Sequence, residues 1–189
     1  MIKTEYLEEL LQQLHLDEAI SLEDIPKVDL YVDQIVQLFE SKFEHATRHS
    51  DDKVLTKTMI NNYAKGKLLP PIKGKKYTKE QIMIISFIYH FKSVLSLQDC
   101  KKLLELLPSH ENNEELHAVY NSFLHIYDNN QKEFTSKLSS RLEEVKKEAS
   151  ISSIDHIDNV ENFLLISSLL NSSLHYKRLA EKLLDEMTK

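Results

Sequence analysis

The chain has 189 residues, of which two are glycine, four proline, one cysteine and none tryptophan. A dinucleotide-binding G-x-G-x-x-G turn and a phosphate-binding P-loop each need more closely spaced glycines than this chain owns, and a barrel or sandwich of many tight turns would be short of turn residues. The formal net charge of −6, from 24 basic and 30 acidic residues, implies no general attraction to nucleic acid or membranes, but it hides a block of eight lysines and no acid between Lys53 and Lys79.

What remains is a mostly α-helical protein, read here in chain order. Residues 3–15 form an amphipathic helix with Tyr6, Leu7, Leu10, Leu11 and Leu14 on one stripe. Residues 16–28 are a polar connection holding Pro26. Asp29 then offers an N-cap to a helix over 30–46, with a stripe of Tyr31 or Val32, Ile35, Leu38 or Phe39, and Phe43. After a polar loop at 48–52, Thr56 caps a short helix over 57–65, and Gly66 supplies the left-handed residue that ends it. Leu68-Leu69-Pro70-Pro71 cannot continue a helix. Residues 72–77 have the length of a small hairpin turning at Gly74.

Thr78-Lys79-Glu80-Gln81 is a capping box opening a helix over 79–92, whose face is Ile82, Ile85, Ile88 or Tyr89, and Phe91 or the stem of Lys92. Ser96 opens a helix closed by Pro108, with Leu97, Cys100, Leu103, Leu104 and Leu107 as its stripe. Cys100 there reads as a small buried hydrophobe. Residues 112–149 contain neither Gly nor Pro. Leu116, Tyr120, Phe123, Tyr127, Asn130, Phe134, Leu138 and Val145 lie mostly at alternating steps of three and four, as in a long helix with one apolar face. The 150–158 stretch breaks the pattern before a last helix over 159–187. The two tail helices suit either a hairpin or pairing with a second subunit. Three regions result: an N-terminal helix and connection (1–28), a central domain (29–108), and a helical tail (109–189).

The basic block holds both glycines, Gly66 and Gly74, and the Pro70-Pro71 pair. In the short helix, Met59, Ile60, Tyr63 and Ala64 fall at core spacing, and Lys57, Thr58, Asn61, Asn62 and Lys65 project from the other side. Asparagine can contact adenine bidentately and lysine neutralises phosphate. The hairpin adds Lys73, Lys75, Lys76 and Tyr77, with Lys67 between the two elements. A helix-turn-helix followed by a wing is the economical account.

The run Thr56-Lys-Thr-Met-Ile-Asn-Asn-Tyr63, Lys65-Gly-Lys-Leu-Leu-Pro-Pro71, Lys76-Tyr77-Thr78 and Ser96-Leu97 resembles the N-terminal domain of MerR-type regulators over about residues 55–107. That family runs a Ser/Thr cap, T-L-R-Y-Y, L-L-P-P, a basic wing and a helix opened by S-L-x-E-I. The resemblance implies a winged helix-turn-helix with recognition helix 57–65. It also implies DNA contacts from Thr58, Asn61 and Asn62, Tyr63 near or beneath the DNA backbone, and wing contacts from Lys75, Lys76 and Tyr77. Here Asn61 and Lys76 stand where that family carries arginine, the wing is short, and the family's metal-binding cysteines are missing. Asp29-Leu-Tyr-Val-Asp-Gln34 together with Thr56–Tyr63 resembles an uncharacterised Gram-positive bacterial family, catalogued as a domain of unknown function.

No residue set points to catalysis, to a cofactor or to a metal. His45 and His49 sit four apart, but no Glu of an H-E-x-x-H pattern lies between them. The expected protein is a cytoplasmic, non-enzymatic regulator that binds double-stranded DNA as a homodimer through residues 112–187, with no membrane partner and with any small-molecule effector unidentified. The alternative is a protein-interaction module that keeps the winged scaffold and uses its apolar tail helices.

Overall fold

The computed structural model describes residues 3–49, 51–72, 74–108, 113–151 and 157–188. It is mostly helical, with one two-stranded antiparallel sheet and two long C-terminal helices. The elements are α1 (Thr4–Gln13), β1 (Leu30–Tyr31), α2 (Val32–Phe43) running into a 3-10 turn (Glu44–Ala46), α3 (Lys57–Lys65), β2 (Lys76–Tyr77), α4 (Lys79–Phe91), α5 (Leu97–Leu104), α6 (Asn113–Ile151) and α7 (Ile157–Met187). They divide into two compact units. One is Glu18–Ile126 with Leu184–Lys189; the other is Met1–Asp17 with Tyr127–Leu183.

The first unit is organised by α4. Its residues from Gln81 to Ile88 are all buried, so this helix has no solvent face over two turns. The expected stripe of Ile82, Ile85 and Ile88 is inside, but so are Met83, Ile84 and Phe87. A helix apolar on all sides must be covered on all sides. The cover comes from Ile35, Phe39 and Phe43 of α2, Ile60 and Tyr63 of α3, Cys100 of α5, and Leu116 and Tyr120 of α6. Cys100 is a buried small hydrophobe, as its stripe suggested, and burial pushes its thiol pKa up.

Three expectations are corrected by this packing. The 16–28 connection is not merely polar: Ile20 and Ile25 are among the most buried residues of the core. The second helix starts at Val32 rather than near 30, because Leu30 and Tyr31 are taken by a strand, and the N-cap is Tyr31 rather than Asp29. The Tyr31 N–H donates to Gln34 Oε1 at 2.9 Å. The expected hairpin over 72–77 includes Lys73, which lies outside the described residues; among the described residues Lys76–Tyr77 has no strand partner within 72–77. Lys76–Tyr77 pairs instead with β1, in the register Leu30 opposite Tyr77 and Tyr31 opposite Lys76. The pairing gives Leu30 and Tyr77 a shared buried side, at 5% exposure each, which a two-residue strand facing its own turn would not obtain.

Polar groups inside this unit are tied to backbone that has no helical partner. Tyr120 Oη donates to the Ile20 carbonyl at 2.7 Å and lies 2.9 Å from Ser86 Oγ, joining the 18–28 connection, α4 and α6. Gln81 completes the capping box with Thr78, its Oε1 accepting from the Thr78 N–H at 3.0 Å. Its Nε2 donates to the carbonyls of Pro70 and Pro71, each at 3.2 Å. Around α4 the rings of Phe43, Tyr89, His90 and Phe123 meet stacked, edge to face or tilted.

In the second unit, Leu142 and Val145 of α6 and Leu165 of α7 form a small core, joined by Leu7 of α1. The tail helices therefore pair as a hairpin within the chain. Arg141 Nη1 reaches across to the Ser168 carbonyl at 3.1 Å and Ser172 Oγ at 2.8 Å.

Two outcomes follow from the first unit. Tyr120→Phe removes the donor to the Ile20 carbonyl and the hydroxyl partner of Ser86, and should lower unfolding free energy by about 1–2 kcal/mol in urea melts. Burial holds the His90 imidazole pKa down to about 4, from an ordinary 6.5. The folded state therefore disfavours the proton that the unfolded chain binds. The stability contributed by neutral His90 is complete above pH 6.5 and is lost as pH falls towards 4. His90→Phe should remove that part of the acid slope, on the order of 2–3 kcal/mol between pH 7 and 4.

Candidate nucleic-acid interface

The candidate surface is built on α3. Thr56 Oγ1 accepts from the Met59 N–H at 3.1 Å, the cap the sequence indicated. Ile60 and Tyr63 point into the core, and Lys57, Thr58, Asn61, Asn62 and Lys65 are exposed. Those five positions recur at one, four, five and eight residues from Lys57, a single helix face. The segment entering α3 is held by Lys92, the C-cap residue of α4, whose Nζ donates to the Val54 carbonyl at 3.0 Å and lies 5.0 Å from the Tyr89 ring centroid. Burial lowers the Lys92 pKa.

The end of α3 differs from its expected form. Gly66 has φ −73 and is right-handed, so it is not the left-handed residue; Lys67 is, with φ 57. The Lys67 N–H donates to the Ala64 carbonyl at 3.1 Å and the Leu68 N–H to the Tyr63 carbonyl at 2.9 Å. This is the paired bond set of a Schellman motif, with Lys67 in the place glycine usually fills. Gly66 is required for space instead. A Cβ there would lie 2.8 Å from Leu68 Cδ1 and 3.2 Å from the Asn62 carbonyl oxygen, and Leu68 is fixed in the core.

The strand pair meets the start of α3 through a short chain of contacts. Lys76 Nζ lies 5.0 Å from the Tyr31 ring centroid, a cation–π distance. Two residues after Tyr31, Asp33 in the first turn of α2 pairs with Lys57 in the first turn of α3. Lys57 opposes the helix dipole at this position, at a cost of about 0.3–1 kcal/mol that Asp33 offsets. Gly74 has φ 70, a left-handed conformation that side chains resist, and a Cβ there would meet open space. Lys75 and Lys76 beside it are exposed.

Not every residue expected at the surface is there. Tyr63 and Tyr77 are 3% and 5% exposed, and burial raises both phenol pKa values. They are core residues that shape the site from beneath and cannot touch a ligand. Lys67 is exposed, and Lys73 lies outside the described residues. Lys79, part of the basic block, turns to the Leu22 carbonyl at 2.6 Å and works as a structural tie. The sequence reading missed Asp33 as a partner of Lys57 and Tyr31 as the platform for Lys76. Their only sequence signal was the Asp29–Gln34 run, which says nothing of a partner 24 residues or more away. His45 Nε2 lies 3.3 Å from Glu44 Oε1, and among the described residues no group of three His, Cys, Asp or Glu could hold a metal ion. No described helix is long and apolar enough to cross a membrane.

Residues 20–123 match the family model described as a domain of unknown function, DUF1836. The chain belongs to the DUF1836 family. No curated protein and no solved structure matches the chain. The DUF1836 match contains the whole buried core of the first unit, from Ile20 to Tyr120. The α3 face and the strand pair thus lie within the DUF1836 segment, and most of α6 and all of α7 lie beyond it.

The cap chemistry of the DUF1836 segment gives an unusual pair of expectations. Lys67→Gly should stabilise the protein by about 0.5–1 kcal/mol, because it relieves a left-handed lysine. Gly66→Ala should destabilise it by about 1–2 kcal/mol despite the better helix propensity of alanine, because Leu68 must move in a packed core. Thermal melts of the two variants read both signs.

Proposed function

We propose that this chain is a DNA-binding transcription regulator whose α2–α3 pair acts as a helix-turn-helix and whose β1–β2 pair acts as a short wing. The observation that carries the proposal is the α3 face: Lys57, Thr58, Asn61, Asn62 and Lys65 are exposed together on a helix whose opposite side is buried. Asparagine, threonine and histidine are poor helix formers, and two adjacent asparagines on a nine-residue helix weaken it without packing benefit. Major-groove reading gives them a use. Asn61 and Asn62 present amides to adenine edges, Thr58 a hydroxyl and methyl, and Lys57 and Lys65 bind phosphate. Lys75 and Lys76 contact the backbone from the wing, and Gly74 allows the bend before them. The likeness to MerR-type regulators over residues 55–107 supports the same reading. Lysine in place of arginine makes the wing a phosphate anchor and not a guanine reader.

One short helix supplies few base contacts, so specificity calls for two copies at a fixed half-site spacing. The homodimer through residues 112–187 belongs to the proposal, as do the cytoplasmic location, the absence of catalysis and the use of a small-molecule effector. A protein-interaction role is the second reading. It is favoured by the apolar side chains that α7 exposes, among them Phe163, Ile166 and Leu170 at 56–68%.

Fluorescence anisotropy with duplex DNA tests the proposal. With about six phosphates neutralised, the slope of log K against log salt should be near −5. Affinity that does not change with salt contradicts phosphate contact. Lys75→Glu with Lys76→Glu should weaken all duplexes alike. Asp33→Asn should strengthen binding several-fold, because it removes a carboxylate beside Lys57 where phosphate would approach.

A further inference from the structure

The second unit contains a cleft of about 660 Å³ between α6 and α7, within the size range of small-molecule sites. It is lined along α6 by Phe134, Leu138 and Arg141, and along α7 by Leu169, Ser172 and Tyr176. These residues recur at helical steps of three and four, so each helix turns one stripe towards the other. Where Leu142 and Val145 meet Leu165, the facing stripes close into a dry core. Further along, where Phe134 faces Ser173 and Tyr176, small and polar residues on α7 replace the leucines that would fill the space. The stripe continues and the packing does not.

The charges in the cleft are uneven. Lys137 and Glu133 pair with each other on the α6 side. Arg141, half-buried at the inner end, donates through Nη1 to the Ser168 carbonyl and Ser172 Oγ, both neutral. Among the described residues it has no carboxylate within ion-pair distance. The lining thus carries one surplus positive charge beside an apolar floor, in a chain whose net charge is −6. A guanidinium has five donors in a planar fork suited to carboxylate or phosphate, and most of them remain for a ligand here. A neighbouring cleft of about 340 Å³ on the same helices carries Glu144 and Glu148 and would repel the same ligand.

We propose that this cleft binds a small amphipathic anion, with its charged group on Arg141 and its apolar body on Phe134, Leu138 and Leu169. Ser172, Ser173 and Tyr176 supply neutral donors at the rim. The occupant fills the space that the missing leucines leave. This binding does not depend on DNA contact by α3, and either property can fail without the other.

Calorimetric titration of the full-length protein with decanoate, decyl phosphate and decanol, each below its micellar concentration, tests this directly. At least one of the two anions should bind about tenfold or more tightly than decanol, the worth of a charge-assisted hydrogen bond. The better anion identifies the head group. Arg141→Met should reduce anion affinity to that of decanol. Ser173→Phe fills the cleft and leaves Arg141 and its bonds in place; it should abolish binding of all three probes without lowering the melting temperature. Equal binding of decanol and both anions overturns the proposal. So does binding to the Ser173→Phe variant at the original affinity. Failure of every probe to bind also overturns it, including the case in which a second copy closes the cleft and sedimentation shows a dimer that Ser173→Phe dissociates.

Discussion

Burial of the middle of α4 is the constraint on which the first unit rests. Eight consecutive residues, Gln81 to Ile88, are buried. Each large apolar side chain among them contributes about 1.5–3 kcal/mol only if something covers it. That requirement recruits α2, α3, α5, the start of α6 and the segment holding Ile20 and Ile25 to the same helix. The matched family segment, residues 20–123, contains every buried residue of this core.

The same constraint explains how a short helix is held firmly enough to present a surface. An isolated nine-residue helix is unstable in water. Here α3 is fixed on its inner side by Ile60 and Tyr63, at its start by Thr56 and at its end by the Lys67–Leu68 cap. The chain leaving it is fastened where Gln81 of α4 grips the carbonyls of Pro70 and Pro71. Neither carbonyl has a place in a helix or strand, and Gln81 is buried beside them. Side chains on the outer face of α3 are therefore carried by a rigid support, as a reading surface needs. The strand pair is a weaker element. Its anchorage is the buried side of Leu30 and Tyr77, and its outer side carries the stacked Tyr31 and Lys76.

Local signals in the sequence were reliable where chemistry is local. Thr56, Thr78 with Gln81, and Ser96 each cap the helix they were expected to cap, because cap bonds span three residues. The stripe of α2 carries its expected buried residues Ile35, Phe39 and Phe43 for the same reason of period, and those of α5 and α6 do so in part: Cys100, Leu116, Tyr120, Leu138 and Val145 are buried, whereas Leu97 and Phe134 are exposed. What the sequence could not show is partnership at distance. The strand before α2 pairs with residues more than forty positions later, and nothing in Leu30-Tyr31 announces it. Tyr77 was expected at the surface by likeness to a motif and lies in the core, as does Tyr63, for which the helical period indicated the core and the likeness a place near the DNA backbone. Gly66 was read as left-handed because glycine usually is at a helix end. The conformation fell instead on Lys67, and the glycine serves Leu68. The cleft beside Arg141 had no sequence signal, because an unfilled space between two helices leaves each stripe almost unchanged.

The central claim is that the exposed face of α3 reads DNA sequence. Selection of bound fragments from a random duplex pool at moderate salt measures this most directly, run in parallel with the unaltered chain and with Asn61→Ala. The account predicts that the unaltered chain enriches an inverted repeat and that Asn61→Ala loses or changes the preferred base within each half-site while still retaining DNA. A pool that stays unenriched, or one from which both proteins recover the same sequence, would contradict it.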